Sequence, residues 1–179
     1  MEGEQLRGIR RPVPDEKKAG SVTVPESFDA FFEREHGDLF GALFLVTRDR
    51  HEAEDLMQEA FLKLWERWDR VVSLEDPTGY LYRTAMNAFR MRYRRTAVAA
   101  RRLFKLGVTR GSDPLDVVED RDHVDRVLRE LTPRQRAALV LTELLGYSTE
   151  DAGSLLGVKP VTIRVLVSQA RKAAREGSA

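Results

Sequence analysis

The sequence predicts an all-α fold of two small helical domains joined by a flexible linker, the C-terminal one a helix-turn-helix. Apolar residues recur at the helical period over several stretches, and no stretch alternates convincingly at the period of a strand. Between two such regions lies "GVTRGSDPLDVVED", residues 107–120, with the Gly, Ser, Asp and Pro of a connector and no apolar stripe that demands burial. Near the end, "LLGVKPVTIRVLVSQARK", residues 155–172, sets a glycine turn and a proline directly before a periodic run that finishes in basic residues.

Residues 1–26 mix Gly, Pro and charge without periodicity, which predicts a mobile tail. A first domain is expected over 27–96. Phe28, Phe31, Phe32, Leu39, Phe40, Leu43 and Phe44 have helical spacing, with a break expected near Gly37. The next helix places Leu56, Met57, Ala60, Phe61, Leu64, Trp65 and Trp68 on one stripe and Glu52, Glu54, Asp55, Glu59 and Glu66 off it. On that stripe Trp65 belongs in the core, while Trp68 fits either the core or the rim of a base-binding surface. Asp76, Pro77 and Gly79 interrupt the period, and a further helix is expected from about Thr78 to Arg95 with Leu81, Ala85, Ala88 and Phe89 inward.

A linker over 97–120 leads to a second domain over 121–176. Its first helix carries Val124, Val127 and Leu128 and stops before "LTPRQ". There Thr132 is suited to cap the next helix, Pro133 to its first position and Gln135 to a capping box. That helix carries Ala138, Leu139, Leu141 and Leu145 and is expected to end at Gly146. Thr149–Leu156 and Pro160–Glu176 follow. Gly153, Gly157 and Ile163 stand where a helix-turn-helix requires a close crossing, a positive φ and an apolar anchor.

Composition excludes several function classes. No cysteine is present, which removes disulfides, thiolate catalysis and Cys-based metal sites and suits a reducing cytosol. The longest apolar run, "LFGALFLV" at 39–46, is too short to cross a bilayer, and "MEGEQLRGIRRPVPDEKKAG" has no apolar signal-peptide stretch. A cytoplasmic protein without membrane insertion is expected. His36, His51 and His123 are scattered and no carboxylate cluster has metal-ligand spacing, so neither a cofactor, a metal nor a catalytic site is expected.

The formal net charge of +1 conceals strong zoning. No acidic residue occurs from Pro77 to Ser112, a block that holds Arg83, Arg90, Arg92, Arg94, Arg95, Arg101, Arg102, Lys105 and Arg110. Acid-rich stretches flank it on both sides. Within the block, Tyr80, Tyr82, Arg83, Asn87, Arg90, Tyr93 and Arg94 share a helix. Guanidiniums neutralise phosphates and aromatic rings receive unstacked bases, a mixture that suits single-stranded or melting DNA. Tyr82 could equally be a core residue.

On the last helix, Ile163, Leu166, Val167 and Ala170 form an inward stripe, and Val161, Arg164, Val165, Ser168 and Lys172 point the other way. Such a face fits the major groove: Arg164 can reach a guanine edge or a phosphate, Ser168 can hydrogen-bond either, and Val161 or Val165 can pack on a thymine methyl. An ordinary helical hairpin with a solvated basic face has the same pattern. Lys159 occupies the cap position, where a cation opposes the helix dipole and a DNA phosphate would offset it.

"HEAEDLMQEAFLKLWERWDR", then "DPTGYLYRTAMNAFRMRYRR", then, past the linker, "LTPRQRAALVLTELLGYSTEDAGSLLGVKPVTIRVLVSQARKAARE" resemble the extracytoplasmic-function (ECF, group IV) sigma factors of bacterial RNA polymerase. The resemblance covers about residues 27–96 and 121–176, both domains in order. It implies that the helix with Asp55, Gln58 and Glu59 docks on the clamp helices of core RNA polymerase. It implies equally that Tyr80, where the family usually has Trp, together with Arg83, Asn87 and Arg90, captures the minus-ten element of promoter DNA. The acidic connector resembles the segment threaded through the polymerase channels, the last helix resembles the minus-thirty-five reader, and an anti-sigma factor is an implied partner. Val165, Leu166 and Gln169 depart from the polar or basic residues common in the family's last helix.

A one-component helix-turn-helix regulator, with the N-terminal helices dimerising or binding a ligand, is the alternative. It leaves the arginine and tyrosine helix without a task.

Overall fold

The computed structural model of the chain describes residues 26–105 and 123–176. All but the last residue of the tail expected over 1–26, and the acidic connector from Asp113 to Asp120, lie outside them. The described residues form α1 (Phe28–Thr47), α2 (Arg50–Trp65), α3 (Trp68–Val71), α4 (Pro77–Lys105), α5 (His123–Glu130), α6 (Pro133–Leu139), a π-helical turn (Val140–Leu144), α7 (Thr149–Leu156) and α8 (Pro160–Glu176), with no strand.

In the first half, the Ser27 and Asp49 side chains accept hydrogen bonds from the backbone N–H groups of Ala30 and Glu52, starting α1 and α2. The break expected near Gly37 does not occur: a lone glycine costs about 1 kcal/mol relative to alanine, and buried Phe31, Leu39, Leu43 and Val46 hold the helix on both sides of it. Asp76 starts α4, its Oδ1 accepting from Gly79 N–H at 2.7 Å. This helix continues to Lys105, well past Arg95. The apolar stripe thins there, but no Pro or Gly stops the run of Ala and Arg, both good helix formers. Leu56, Leu64, Leu81, Tyr82 and Met86 fill the core, and Trp68 meets Phe28 and Phe31 at ring separations of 5.5 and 5.0 Å. The buried Glu35 carboxylate, held by Arg34 Nε at 2.9 Å and Thr78 Oγ1 at 3.1 Å, ties α1 to the start of α4.

In the second half the Thr132–Gln135 capping box forms as the sequence predicts. The helix it starts reaches Leu139 and then widens into a π turn, in which Leu145 N–H donates to Val140 O at 2.9 Å and Tyr147 N–H to Leu141 O at 2.9 Å. Apolar periodicity is blind to one extra residue in a turn, so a regular helix to Gly146 is what the pattern alone suggests. Between α7 and α8, Gly157 takes φ +64° and ends α7. A side-chain carbon at Gly153 would lie 2.8 Å from Val158 O, so only glycine permits this crossing. Ile163, Val167 and Ala170 seat α8, with Leu166 half-buried.

The halves share one apolar core. Arg136 of α6, almost fully buried, crosses between them and donates from Nε to Val46 O of α1 at 2.7 Å.

Candidate functional site

Three surfaces result. On α2, Asp55, Gln58 and Glu59 lie within one arc with Leu62 and Trp65, an acidic and apolar strip facing outward. Trp65 is 63% exposed and Leu62 61%, which corrects the placement of Trp65 in the core. Its position lies about 40° of helix rotation beyond Phe61, the last buried residue on that side of the stripe, and α2 ends there. Leu62 had a readable signal, an apolar residue off the stripe among acids. Arg92 of α4 reaches this strip, with its Nη1 3.3 Å from Asp55 Oδ2 and its Nη2 3.9 Å from Glu59 Oε2, while Lys63 Nζ donates to Glu59 Oε1 at 2.6 Å. Nearby, burial holds the Glu52 carboxyl above its ordinary pKa, and Arg92 opposes that rise.

On α4, Tyr80, Arg83, Asn87, Met91 and Arg94 line one face and Arg90 its edge. Arg83 is exposed, while Tyr80, Asn87 and Arg90 are half-buried. Tyr82 points the other way and is fully buried, its hydroxyl without a hydrogen-bond partner and its pKa raised first by burial and then by Asp38 and Glu35. It is a core residue and receives no base. Trp68 is half-buried and packs against the core cluster.

On α8, Val161 and Val165 are 56% and 49% exposed, and Lys159, Arg164, Ser168 and Lys172 are exposed beside them, so the outward face is assembled as its spacing predicts. A groove of about 530 Å³, which includes Thr142, Thr149, Arg164, Ser168, Arg171 and Arg175 in its lining, runs along it. Arg171 and Arg175, absent from the sequence-based set, stand about one and two helical turns beyond Ser168 and could have been found by period alone. Two cations of this face reach acids on other elements: Arg171 Nη2 to Glu143 Oε1 at 2.7 Å and Arg164 Nη2 to Glu150 Oε1 at 3.6 Å. The π turn carries Glu143, a displacement that no periodicity reveals. The Glu150 carboxyl is held below its ordinary pKa by its own backbone N–H, then by Thr149 and Arg164.

Among the described residues no group of His, Asp and Glu could hold a metal ion, and no helix is long and apolar enough to cross a membrane.

An arginine and tyrosine helix with no acid on it, coupled to a helix-turn-helix with a basic groove, defines a two-part DNA-binding transcription factor. The family follows from comparison: residues 31–98 match Sigma-70 region 2 and residues 121–173 match Sigma-70, region 4. The chain is 31% identical over 150 residues to the ECF RNA polymerase sigma factor SigM of Mycobacterium tuberculosis, covering 81% of this chain and 74% of that one. It is 25% identical over 154 residues to the RNA polymerase sigma-E factor of Streptomyces avermitilis, covering 83% of each. Its fold resembles that of the sigma factor RpoE of Bartonella quintana in complex with the anti-sigma factor NepR (TM-score 0.62, 24% identity, 84% of this chain and 95% of that one). It also resembles a chain of the PhyRSL–NepR complex of Sphingomonas sp. Fr1 (TM-score 0.56, 19% identity, 84% and 88%). This chain belongs to the ECF sigma factors, transcription initiation factors that direct RNA polymerase to promoters.

Proposed function

We propose that this sigma factor, of group IV within its family, divides its work among the three surfaces. The strip of Asp55, Gln58 and Glu59, extended by Leu62 and Trp65, docks on core polymerase. Tyr80, Arg83, Asn87 and Arg90 grip the minus-ten strand and promote melting. Lys159, Val161, Arg164, Val165, Ser168 and Lys172 read the minus-thirty-five element. The functional domains are residues 27–96 and 121–176, joined by the linker over 97–120. The observation that carries this reading is the separation of surface chemistry: acid with exposed apolar groups on α2, cations with a tyrosine and an amide on α4, and cations with exposed valines and a serine on α8. A protein surface can pair with the first, and phosphates and bases with the others.

Glu143 and Glu150 hold Arg171 and Arg164 at the groove mouth, so duplex DNA must compete with carboxylates for both arginines. The factor contributes binding energy rather than covalent chemistry, works in the cytoplasm, and is bound by an anti-sigma factor, as the Bartonella quintana relative is in its complex with NepR. Run-off transcription with purified core polymerase on randomised promoters tests the reading: start sites clustering downstream of two common elements are expected, and no template opening would overturn it.

A further inference from the structure

We propose that the two halves of the chain hold each other closed through Arg136, and that closure withholds Arg90 from the strand-gripping face of α4; the second clause rests on the role given to α4 above.

Among the described residues, Arg136 takes only backbone carbonyls as hydrogen-bond partners. Its Nε donates to Val46 O at 2.7 Å and its Nη2 reaches Thr47 O at 3.5 Å, both at the C-terminal end of α1. Its Nη1 donates to Leu131 O at 2.7 Å and Leu128 O at 3.1 Å, at the C-terminal end of α5. Helix C-termini present carbonyls that lack intrahelical partners and carry the negative end of the helix dipole. One planar guanidinium therefore satisfies the ends of two helices, one from each half, a geometry that a single lysine ammonium cannot reproduce. Burial lowers its pKa to about 10, with Arg48 adding repulsion and Glu52 opposing it, which leaves the group charged at neutral pH.

The closed interface continues at α4. Phe89 and Tyr93 meet Leu156, Val158 and Leu166 across a cleft with only about 10 Å³ left open. The Arg134 guanidinium lies 5.7 Å from the centre of the Tyr93 ring. Arg90 lies under the helix-turn-helix turn, so close to Gly157 that any side chain there would collide with its Nη1, and its Nε is buried with no hydrogen-bond partner. That nitrogen has lost water without gaining an acceptor, although the residue as a whole is half-buried. Parting of the halves returns it to solvent or to a phosphate, so strand binding and closure oppose each other.

The absence of native cysteine lets spin labels be placed on the exposed positions Asp69→Cys and Ser154→Cys, one in each half of the full-length chain. A single narrow distance is expected. Arg136→Gln should broaden and lengthen it. Arg136→Gln also strips the caps of α5, so Arg134→Ala, an exposed position that leaves Arg136 in place, provides a second opening variant with a smaller shift. Both variants should fold by circular dichroism, and Arg136→Gln should bind a short random-sequence single-stranded DNA about threefold tighter or more, as the open population rises. A broad distance in the unaltered chain that neither variant changes would overturn the latch. Longer distances with unchanged strand affinity would overturn the masking of Arg90 alone. Longer distances with no strand binding by any form, Arg83→Ala included, would remove the strand-gripping role of α4 while the latch stands.

Discussion

The two surfaces proposed to face DNA handle their cations differently. On α4, within a stretch without acid, Arg83 and Arg94 meet no carboxylate among the described residues. On α8, Arg164, Arg171 and Lys172 pair with Glu150, Glu143 and Glu176. Unpaired cations attract any phosphate and give affinity with a steep salt dependence. Paired ones must leave a partner first, so only a duplex that also supplies base contacts repays the exchange. The contrast fits the grip proposed for α4 and the reader proposed for α8.

The largest test separates the strip proposed to dock on polymerase from both. Replacing Asp55 and Glu59 together by alanine should weaken association with core polymerase by about two orders of magnitude, read by co-elution, with binding to upstream duplex unchanged. Equal loss of both would mean that the acids support the fold. Next, Arg164→Ala should cost about 1–3 kcal/mol at one upstream base pair if the arginine reads a base edge, whereas Arg83→Ala should weaken all sequences alike and lower the salt slope by about 1. Footprinting and titration over a salt series distinguish them; uniform weakening by Arg164→Ala would erase the contrast. Tyr82→Phe removes a buried hydroxyl with no partner, so the thermal midpoint should hold or rise by the equivalent of up to about 1 kcal/mol, with promoter opening unaffected. Reduced opening would put Tyr82 back on the strand-gripping face. Smallest, Lys159→Ser should stabilise the fold by about 0.3–1 kcal/mol, since a cation at the start of α8 opposes its dipole, yet weaken duplex binding. Unchanged affinity at low salt would remove the phosphate contact.

Most helices were legible because each buries a stripe that returns at the helical period, and the starts at Thr132 and Asp76 and the turn at Gly157 rest on local chemistry. Misreadings cluster where period stops being informative. Trp65 sits at the margin of a stripe and at the end of α2, where packing rather than period decides burial. Tyr82 reads as core or surface from its neighbours, and only its packing into the core cluster makes it core. The π turn shifts Glu143 by a register that composition does not encode. The α8 face was read nearly whole because one helix carries it, whereas its carboxylate partners come from other elements.

By itself the sequence determined most of the helices, the capping box at Thr132, the charge zoning and the outward face of α8, since these depend on neighbours within a few residues along the chain. Only the tertiary structure decided that Arg136 joins α1 to α5, that Arg92 leans on Asp55, and that Arg90 lies beneath the Gly157 turn. Those pairs are far apart in sequence, and their energies arise from desolvation and from helix ends meeting in space, quantities that exist only once the chain has closed on itself.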